Sequence, residues 1–210
     1  NIDYMSWEDY IPEELVTLYE IHDFKHAAAI LANEFPAEFS EICSALSQFR
    51  FKREDLLTAG GNESNIPKLF SEILRPLGWY EKNLEAELNV FEIKGKKSKE
   101  LKRSINHGSH KVDYLKGRVA FDLEWNSKDQ TFDRDLYAFR AFFEYDSISV
   151  GVLVTRSTTL EALFKEMTIN NKYGASTTHI GKLIPRLEAG RNGGCPVLVF
   201  GIFSNLMIDE

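Results

Sequence analysis

Val112-Asp113-Tyr114-Leu115-Lys116-Gly117-Arg118-Val119-Ala120-Phe121-Asp122-Leu123-Glu124-Trp125 is the stretch that decides the fold. Lys116-Gly117 is a turn signal between two apolar-rich segments, so the stretch reads as a β-hairpin. Strand side chains repeat every two residues. Val119, Phe121, Leu123 and Trp125 therefore share one face of the second strand, and Ala120, Asp122 and Glu124 share the other. Asp113 lies across the hairpin, which lets three carboxylates converge within one small volume.

Downstream, a polar loop from Asn126 to Gln130 leads to a helical pattern over Phe132 to Tyr145, with Leu136, Phe139 and Phe143 on one side. Ile148 to Thr155 is a strand. Strand, helix, strand at this spacing is a crossover unit, so the two strands should be parallel. Leu160 to Met167 and Ile180 to Leu187 read as helices around a small polar loop from Asn170 to Thr178, and Pro196 to Phe203 is the last expected strand. Upstream, Trp7 to Leu57 reads as helices, because Leu15, Leu18 and Ile21, then Ala28, Leu31, Ala32 and Phe35, recur at three- and four-residue steps. A turn is expected at Ala59-Gly60-Gly61-Asn62, then a helix from Ile66-Pro67 with Gly78 as its C-cap. Leu84 to Lys94 suggests a strand or short edge segment. The expected fold is α/β, a central mixed β-sheet flanked by helices. The chain, 1–210, is read as a single domain whose residues 1–80 are mainly a helical scaffold.

Composition sets the bounds. A chain of 210 residues with 43% apolar residues is long enough for one compact domain with a buried core. Apolar runs such as Val197 to Phe203 fall far short of the roughly 20 residues that cross a bilayer, so no membrane association is expected. The first residues lack the pattern of a secretory signal. Cys43 and Cys195 lie far apart without a CxxC pairing, which fits a reduced, cytoplasmic setting. The formal charge of -7 argues against a surface that is a nucleic-acid mould throughout. Its distribution is uneven. Glu8, Asp9, Glu13, Glu14, Glu34, Glu38 and Glu41 make the N-terminal part acidic, whereas nine Lys and Arg residues fall between Lys94 and Arg118 and run straight into the carboxylates. That run reads either as a solvated face or as a basic approach to the site.

Asp113, Asp122 and Glu124 brought together repel one another unless cations neutralise them. Hard oxygen donors suit Mg²⁺, which commonly takes one or two protein carboxylates plus phosphate oxygens. The implied chemistry is phosphodiester hydrolysis, with Asp113 and Asp122 holding metal and Glu124 binding metal and orienting or deprotonating water. The competing reading is an acidic strand face open to solvent. The combination D-x8-D-x-E across a hairpin, with bulky apolar residues opposite, favours the site.

These residues resemble the BglII/BstYI-like type II restriction endonucleases of the PD-(D/E)xK superfamily, with BamHI as a more distant relative. The resemblance rests on Val112 to Trp125, the helix through Arg134-Asp135-Leu136, the strand from Ile148 to Val154, Tyr173-Gly174-Ala175-Ser176-Thr177-Thr178, and Cys195 to Ile202. It covers roughly residues 66 to 203, and it implies a catalytic and DNA-reading core over 84–203. It also implies a Mg²⁺-dependent homodimer that encloses a short palindromic site in double-stranded DNA, each subunit cutting one strand. Asp113 and Asp122 match the family's acidic positions, and Glu124 stands where the general motif has Lys and close relatives carry Gln. Glu72 lies where BamHI-like enzymes have a further metal-binding acid. In relatives the loop matching Ala175 to Thr178 reads base edges in the major groove, a task that suits hydroxyls and amides. Asn170, Asn171 and Lys172 precede that loop and His179 follows it, while Asn126 and Ser127 match a second DNA-contacting loop. Lys128, Arg134, Arg186 and Arg191 are candidates for phosphate contacts. Relatives centre on GATC, and a cognate DNA methyltransferase is expected in the same system, not as a bound partner.

Two other classes share this pattern, namely a non-catalytic DNA-binding protein on the nuclease fold and a structure-selective repair nuclease. Ser176 or Thr177 could also simply cap a helix. Gly174 to Lys182 has the wrong spacing for a phosphate loop. His107 and His110 lack further partners for zinc. Cys195 has no neighbour that marks a nucleophile. Phe132, Tyr137, Phe139, Phe142 and Phe143 at helical spacing read as core or a dimer seam.

Overall fold

The computed structural model describes residues 6–57, 65–95 and 98–208; the turn expected at Ala59 to Asn62 lies outside them. The chain begins with α1 (Glu13–Leu18), β1 (Tyr19–Phe24), α2 (Ala27–Glu34), α3 (Pro36–Gln48), β2 (Phe51–Lys52), α4 (Arg53–Leu57) and α5 (Asn65–Leu74). A long hairpin follows, β3 (Tyr80–Lys94) and β4 (Ser98–Lys116), and then β5 (Val119–Glu124), α6 (Thr131–Glu144) and β6 (Val150–Arg156). The chain closes with α7 (Leu160–Glu166), α8 (Ile180–Glu188), β7 (Val197–Ile202) and β8 (Met207–Ile208). One sheet runs β1-β7-β6-β5-β4-β3, and β2 and β8 form a separate parallel pair. β5, β6 and β7 are mutually parallel, as the crossover spacing predicts. β1, β4 and β3 lie antiparallel to their neighbours, so the sheet is mixed.

The period-two alternation of the central strands builds two cores, one on each face. Val119, Phe121, Leu123 and Trp125 of β5 join Val150, Val152 and Val154 of β6 against the N-terminal helices. Ala120 and Leu153 face α6 and α8 instead. Phe121 lies 5.8 Å from the Tyr114 ring and 6.0 Å from Phe70 of α5, which in turn stacks on Phe49 at 4.3 Å. Fully burying one such side chain contributes about 1.5–3 kcal/mol. On the other face α6 comes so close that a Cβ at Gly151 would meet the Phe139 ring at 2.5 Å. Gly117 has φ 54° and closes the β4–β5 turn. Below that turn, Lys116 Nζ donates to both oxygens of Glu41 at 2.6 and 2.7 Å and to the Leu77 carbonyl at 2.8 Å. Trp79 Nε1 donates to the same Glu41, so α3 is fastened to the hairpin base.

Two expectations need correction, and two open readings are resolved. Trp7 to Leu57 is not all helical. Ile21 falls on the three-residue step of Leu15 and Leu18, yet Tyr19–Phe24 pairs along β7 as the edge strand, and Phe51–Lys52 pairs with Met207–Ile208. Leu84 to Lys94 is no short edge segment but part of a strand of 15 residues paired to one of 19. The charged outer half of that ribbon has no buried face, so it lacks the alternation that would reveal its length. β7 is not the last strand, since β8 follows it. Of the two readings of the basic run, its described part is a solvated face whose charges are paired: Lys94 and Lys102 meet Glu92 and Glu100, Lys111 meets Glu81, and Arg118 meets Asp146 at the surface.

Candidate active site

The β4–β5 ladder pairs Lys116 with Val119, Leu115 with Ala120 and Tyr114 with Phe121, and then stops. The next residues would be Asp113 and Asp122. There the Asp113 N–H donates to the Asp122 side chain, Oδ1, at 2.7 Å, and the Leu123 N–H donates to Asp113 Oδ2 at 3.4 Å. Side chains have replaced the backbone rungs, so both carboxylates are held at the point where the two strands part. Two residues on, Glu124 shares the Asp122 face by strand periodicity. Glu124 takes a hydrogen bond from the Ser127 hydroxyl, and its backbone carbonyl accepts the Thr155 hydroxyl of β6 at 2.6 Å. A cleft of about 430 Å³ opens beside Asp113, lined also by Pro67, Arg75, Glu81 and Lys111.

A fourth carboxylate completes the cluster. Asp135, one turn into α6, is 3% exposed and lies beside Glu124, and its buried Oδ2 takes no hydrogen bond from a donor among the described residues, which leaves that oxygen to carry a proton toward Glu124. Arg134 bonds Asp135 Oδ1 at 3.1 Å and reaches within 3.6 Å of Glu124 Oε1, with most of its side chain in solvent. Sequence periodicity does not reveal Asp135, because its approach to Glu124 depends on how α6 docks on β5.

Burial and mutual repulsion disfavour ionisation across this group. Burial raises Asp113 first, countered by the Leu123 N–H and by Lys111 and Arg134. Asp122 is raised well above the usual carboxylate range by burial and then by Asp113 and Asp135. Glu124 is raised by burial, against its hydrogen bonds from Ser127 and Asp135. Asp135 is pushed up to about 8 by burial and by Glu124, so it keeps its proton and donates it to Glu124. Buried carboxylates with an orphaned oxygen call for protons or a hard cation, and an all-oxygen donor set fits Mg²⁺. Among the described residues no three ligands stand as a ready-made cage.

The two segments singled out for DNA contact come together. Lys128 and Thr177 form an antiparallel bridge, the Asp129 N–H donates to the Ser176 carbonyl and the Thr178 N–H to the Ser127 carbonyl, both at 2.9 Å. The loop after β5 and the loop before α8 thus form one surface adjoining Glu124. Ser176, Asn170, Asn171 and Lys128 are exposed there. Asn126 donates to the Lys172 carbonyl, and Lys172 Nζ reaches back to the Leu56 carbonyl at 2.9 Å. Neither Ser176 nor Thr177 caps a helix; His179 holds the N-cap position of α8 and is buried, as is Thr178. Arg186 and Arg191 both pair with Asp133 and Arg186 also with Asp129, on the α6–α8 side. Glu72 is exposed on α5, and among the described residues no ion pair or hydrogen bond joins it to the carboxylates. Sequence reasoning also passed over Thr155 and Arg156, consecutive residues at the end of β6 that are both buried against these loops.

A mixed sheet with parallel central strands, helices on both faces and acidic residues where the hairpin opens defines a restriction-endonuclease-like α/β fold. The family model described as restriction endonuclease BglII/BglIII matches residues 19–202, and the chain belongs to this family. The match includes β1 and ends with β7, so it takes in the whole six-stranded sheet and the carboxylate cluster. No curated protein sequence matches the chain. Among the described residues no helix is long and apolar enough to cross a membrane.

Proposed function

We propose that the protein is a type II enzyme that hydrolyses phosphodiester bonds in double-stranded DNA at a short palindromic site, acting as a homodimer with Mg²⁺. The observation that carries this reading is the group of buried Asp122, Glu124 and Asp135 with half-buried Asp113 at the cleft, adjoining the paired loops 126–128 and 174–178. Asp113 and Asp122 are the ligands of the ion, with Glu124 beside them. Bound there, Mg²⁺ lowers the pKa of water and shields the scissile phosphate. Glu124, fixed by Ser127 and by the proton of Asp135, orients the attacking water. Arg134 supplies positive charge at the mouth of the group. Ser176, Asn170 and Asn171 offer donors and acceptors toward base edges and Lys128 toward phosphate, while Asn126 is turned inward onto the Lys172 carbonyl.

Asp122→Ala separates binding from chemistry. The variant should bind the duplex that the wild type cuts, within about ten-fold of wild-type affinity, because phosphate contacts dominate binding. It should release no product. Sedimentation of the complex should give two chains per duplex. A variant that cleaves, or a single chain per duplex, would contradict the proposal.

A further inference from the structure

Arg156 is the last residue of β6 and is 1% exposed, among the largest fully buried side chains of the protein. A buried guanidinium is costly unless paired, and carboxylates are its usual partners. Among the described residues none forms an ion pair with it. Its Nε donates to the Thr178 carbonyl at 2.7 Å and its Nη2 to the Thr177 hydroxyl. The Phe164 and Tyr173 rings, stacked on one another at 4.2 Å, each lie 5.5 Å from its guanidinium carbon. The charge is therefore held by one loop and an aromatic wall. Thr177 in turn donates to the Gly174 carbonyl at 2.7 Å, so the whole turn from Gly174 to Thr178 is fastened to the guanidinium plane.

Three further polar atoms at the same junction, Thr178 Oγ1, His179 Nδ1 and Asn126 Oδ1, are buried without hydrogen-bond partners. Leaving such groups unsatisfied is costly. Besides the backbone bonds to residues 127–129, the fork of Arg156 is the buried side-chain anchor of the loop. The preceding residue has a matching task, because Thr155 bonds the carbonyl of Glu124. Two consecutive side chains of β6 hold the catalytic strand and the loop beside it.

We propose that Arg156 is the residue that positions the loop Gly174–Thr178 for sequence discrimination, transmitting the height and register of the loop to the catalytic strand through its neighbour Thr155. The proposal rests on the reading of that loop as a DNA-contacting segment. A planar fork with fixed donors suits this role and an ammonium does not, since Lys supplies a point charge and loses the two-point grip.

The test uses the intact protein after its cleavage site has been mapped. The ratio of kcat/KM on the mapped site to kcat/KM on sites differing by one base pair is measured for wild type, Arg156→Lys and Thr177→Val. Half-saturating Mg²⁺ and the thermal transition are recorded alongside. The ratio should fall about ten- to a hundred-fold in Arg156→Lys, the scale of a misplaced contact, and less in Thr177→Val, with half-saturating Mg²⁺ unchanged. A ratio within two-fold of wild type in both variants, including an equal loss of rate on every site, would overturn the proposal. The double variant Asn171→Ala/Ser176→Ala tells the two readings apart. If it lowers the ratio while Arg156→Lys and Thr177→Val do not, only the role of Arg156 fails. If all three leave the ratio intact, the loop does not read DNA. Should Arg156→Lys fail to fold, Arg156→Gln replaces it, and Thr177→Ser, which keeps the hydroxyl bonded to Arg156 and Gly174, must hold the ratio that Thr177→Val lowers; a ratio unchanged in Arg156→Gln overturns the proposal.

Discussion

The acidic cluster should make the metal-free protein lose stability as pH rises. Asp135 carries the clearest case, pushed from 3.8 up to about 8 by burial and by Glu124. Between those values the folded protein holds a proton that the unfolded chain has released, so stability falls with pH across the window. Each pH unit is worth about 1.4 kcal/mol for one such proton, and the step from about pH 5 to pH 7 removes roughly 3 kcal/mol. That is a large part of the roughly 5–15 kcal/mol that holds a domain folded. With a urea dependence of about 2 kcal/mol per molar it moves the midpoint by about 1 M or more. Other groups titrate in the same range. His179, whose pKa is lowered by burial, contributes with the opposite sign. Comparison with Asp135→Asn cancels the groups remote from the cluster, His179 among them. Urea unfolding in EDTA should show the variant gaining on the wild type by roughly 3 kcal/mol between pH 5 and pH 7. A difference that stays flat, or runs the other way, would refute the assignment of a retained proton to Asp135.

Added Mg²⁺ should reverse the trend at high pH, raising the thermal midpoint of the wild type at pH 8 and leaving Asp113→Ala/Asp122→Ala unmoved, because an ion that binds only the folded state stabilises it. Differential scanning fluorimetry with and without EDTA reads this directly. Phe70→Ala empties the stack between Phe49 and Phe121 and should cost about 3–5 kcal/mol in denaturant unfolding. Gly151→Ala drives a methyl into Phe139 at 2.5 Å and should cost about 1–3 kcal/mol, unless the ring moves aside. Thr155→Val removes the hydroxyl that bonds the Glu124 carbonyl and should cost about 1–3 kcal/mol, with single-turnover cleavage slowed more than duplex binding is weakened.

What the sequence reveals and what it conceals follow from one cause, the extent to which a feature is local. The hairpin at Val112 to Trp125 announces itself because β5 has one face on each core, which forces strict alternation, and because a glycine at positive φ closes the turn. Asp113 and Asp122 come with it, being neighbours across that turn. The parallel strands β6 and β7 are plain for a related reason, since burial on both faces leaves unbroken apolar runs. β1 was hidden because an edge strand with mainly half-buried residues follows a helix of matching period. The outer ribbon of β3 and β4 was hidden because no face of it is buried. Asp135 and Arg156 stand apart from these. Each is an ordinary charged residue in sequence and becomes notable only when α6 sets one beside Glu124 and the loop at Thr177 closes over the other. The sequence shows the basic run but not its pairing, because the partners of Lys94, Lys102, Lys111 and Arg118 are set by strand pairing and by the β5–β6 connection.

The central claim is that Asp113, Asp122 and Glu124 form the cutting centre of a site-specific, Mg²⁺-dependent nuclease. Digestion of a sequenced plasmid, with every fragment end mapped, tests it most directly. Wild-type protein with Mg²⁺ should yield discrete fragments whose ends share one short palindromic sequence, and neither EDTA-treated wild type nor Asp122→Ala should yield any. Random nicking, cleavage in EDTA, or wild-type cutting by Asp122→Ala would contradict the claim.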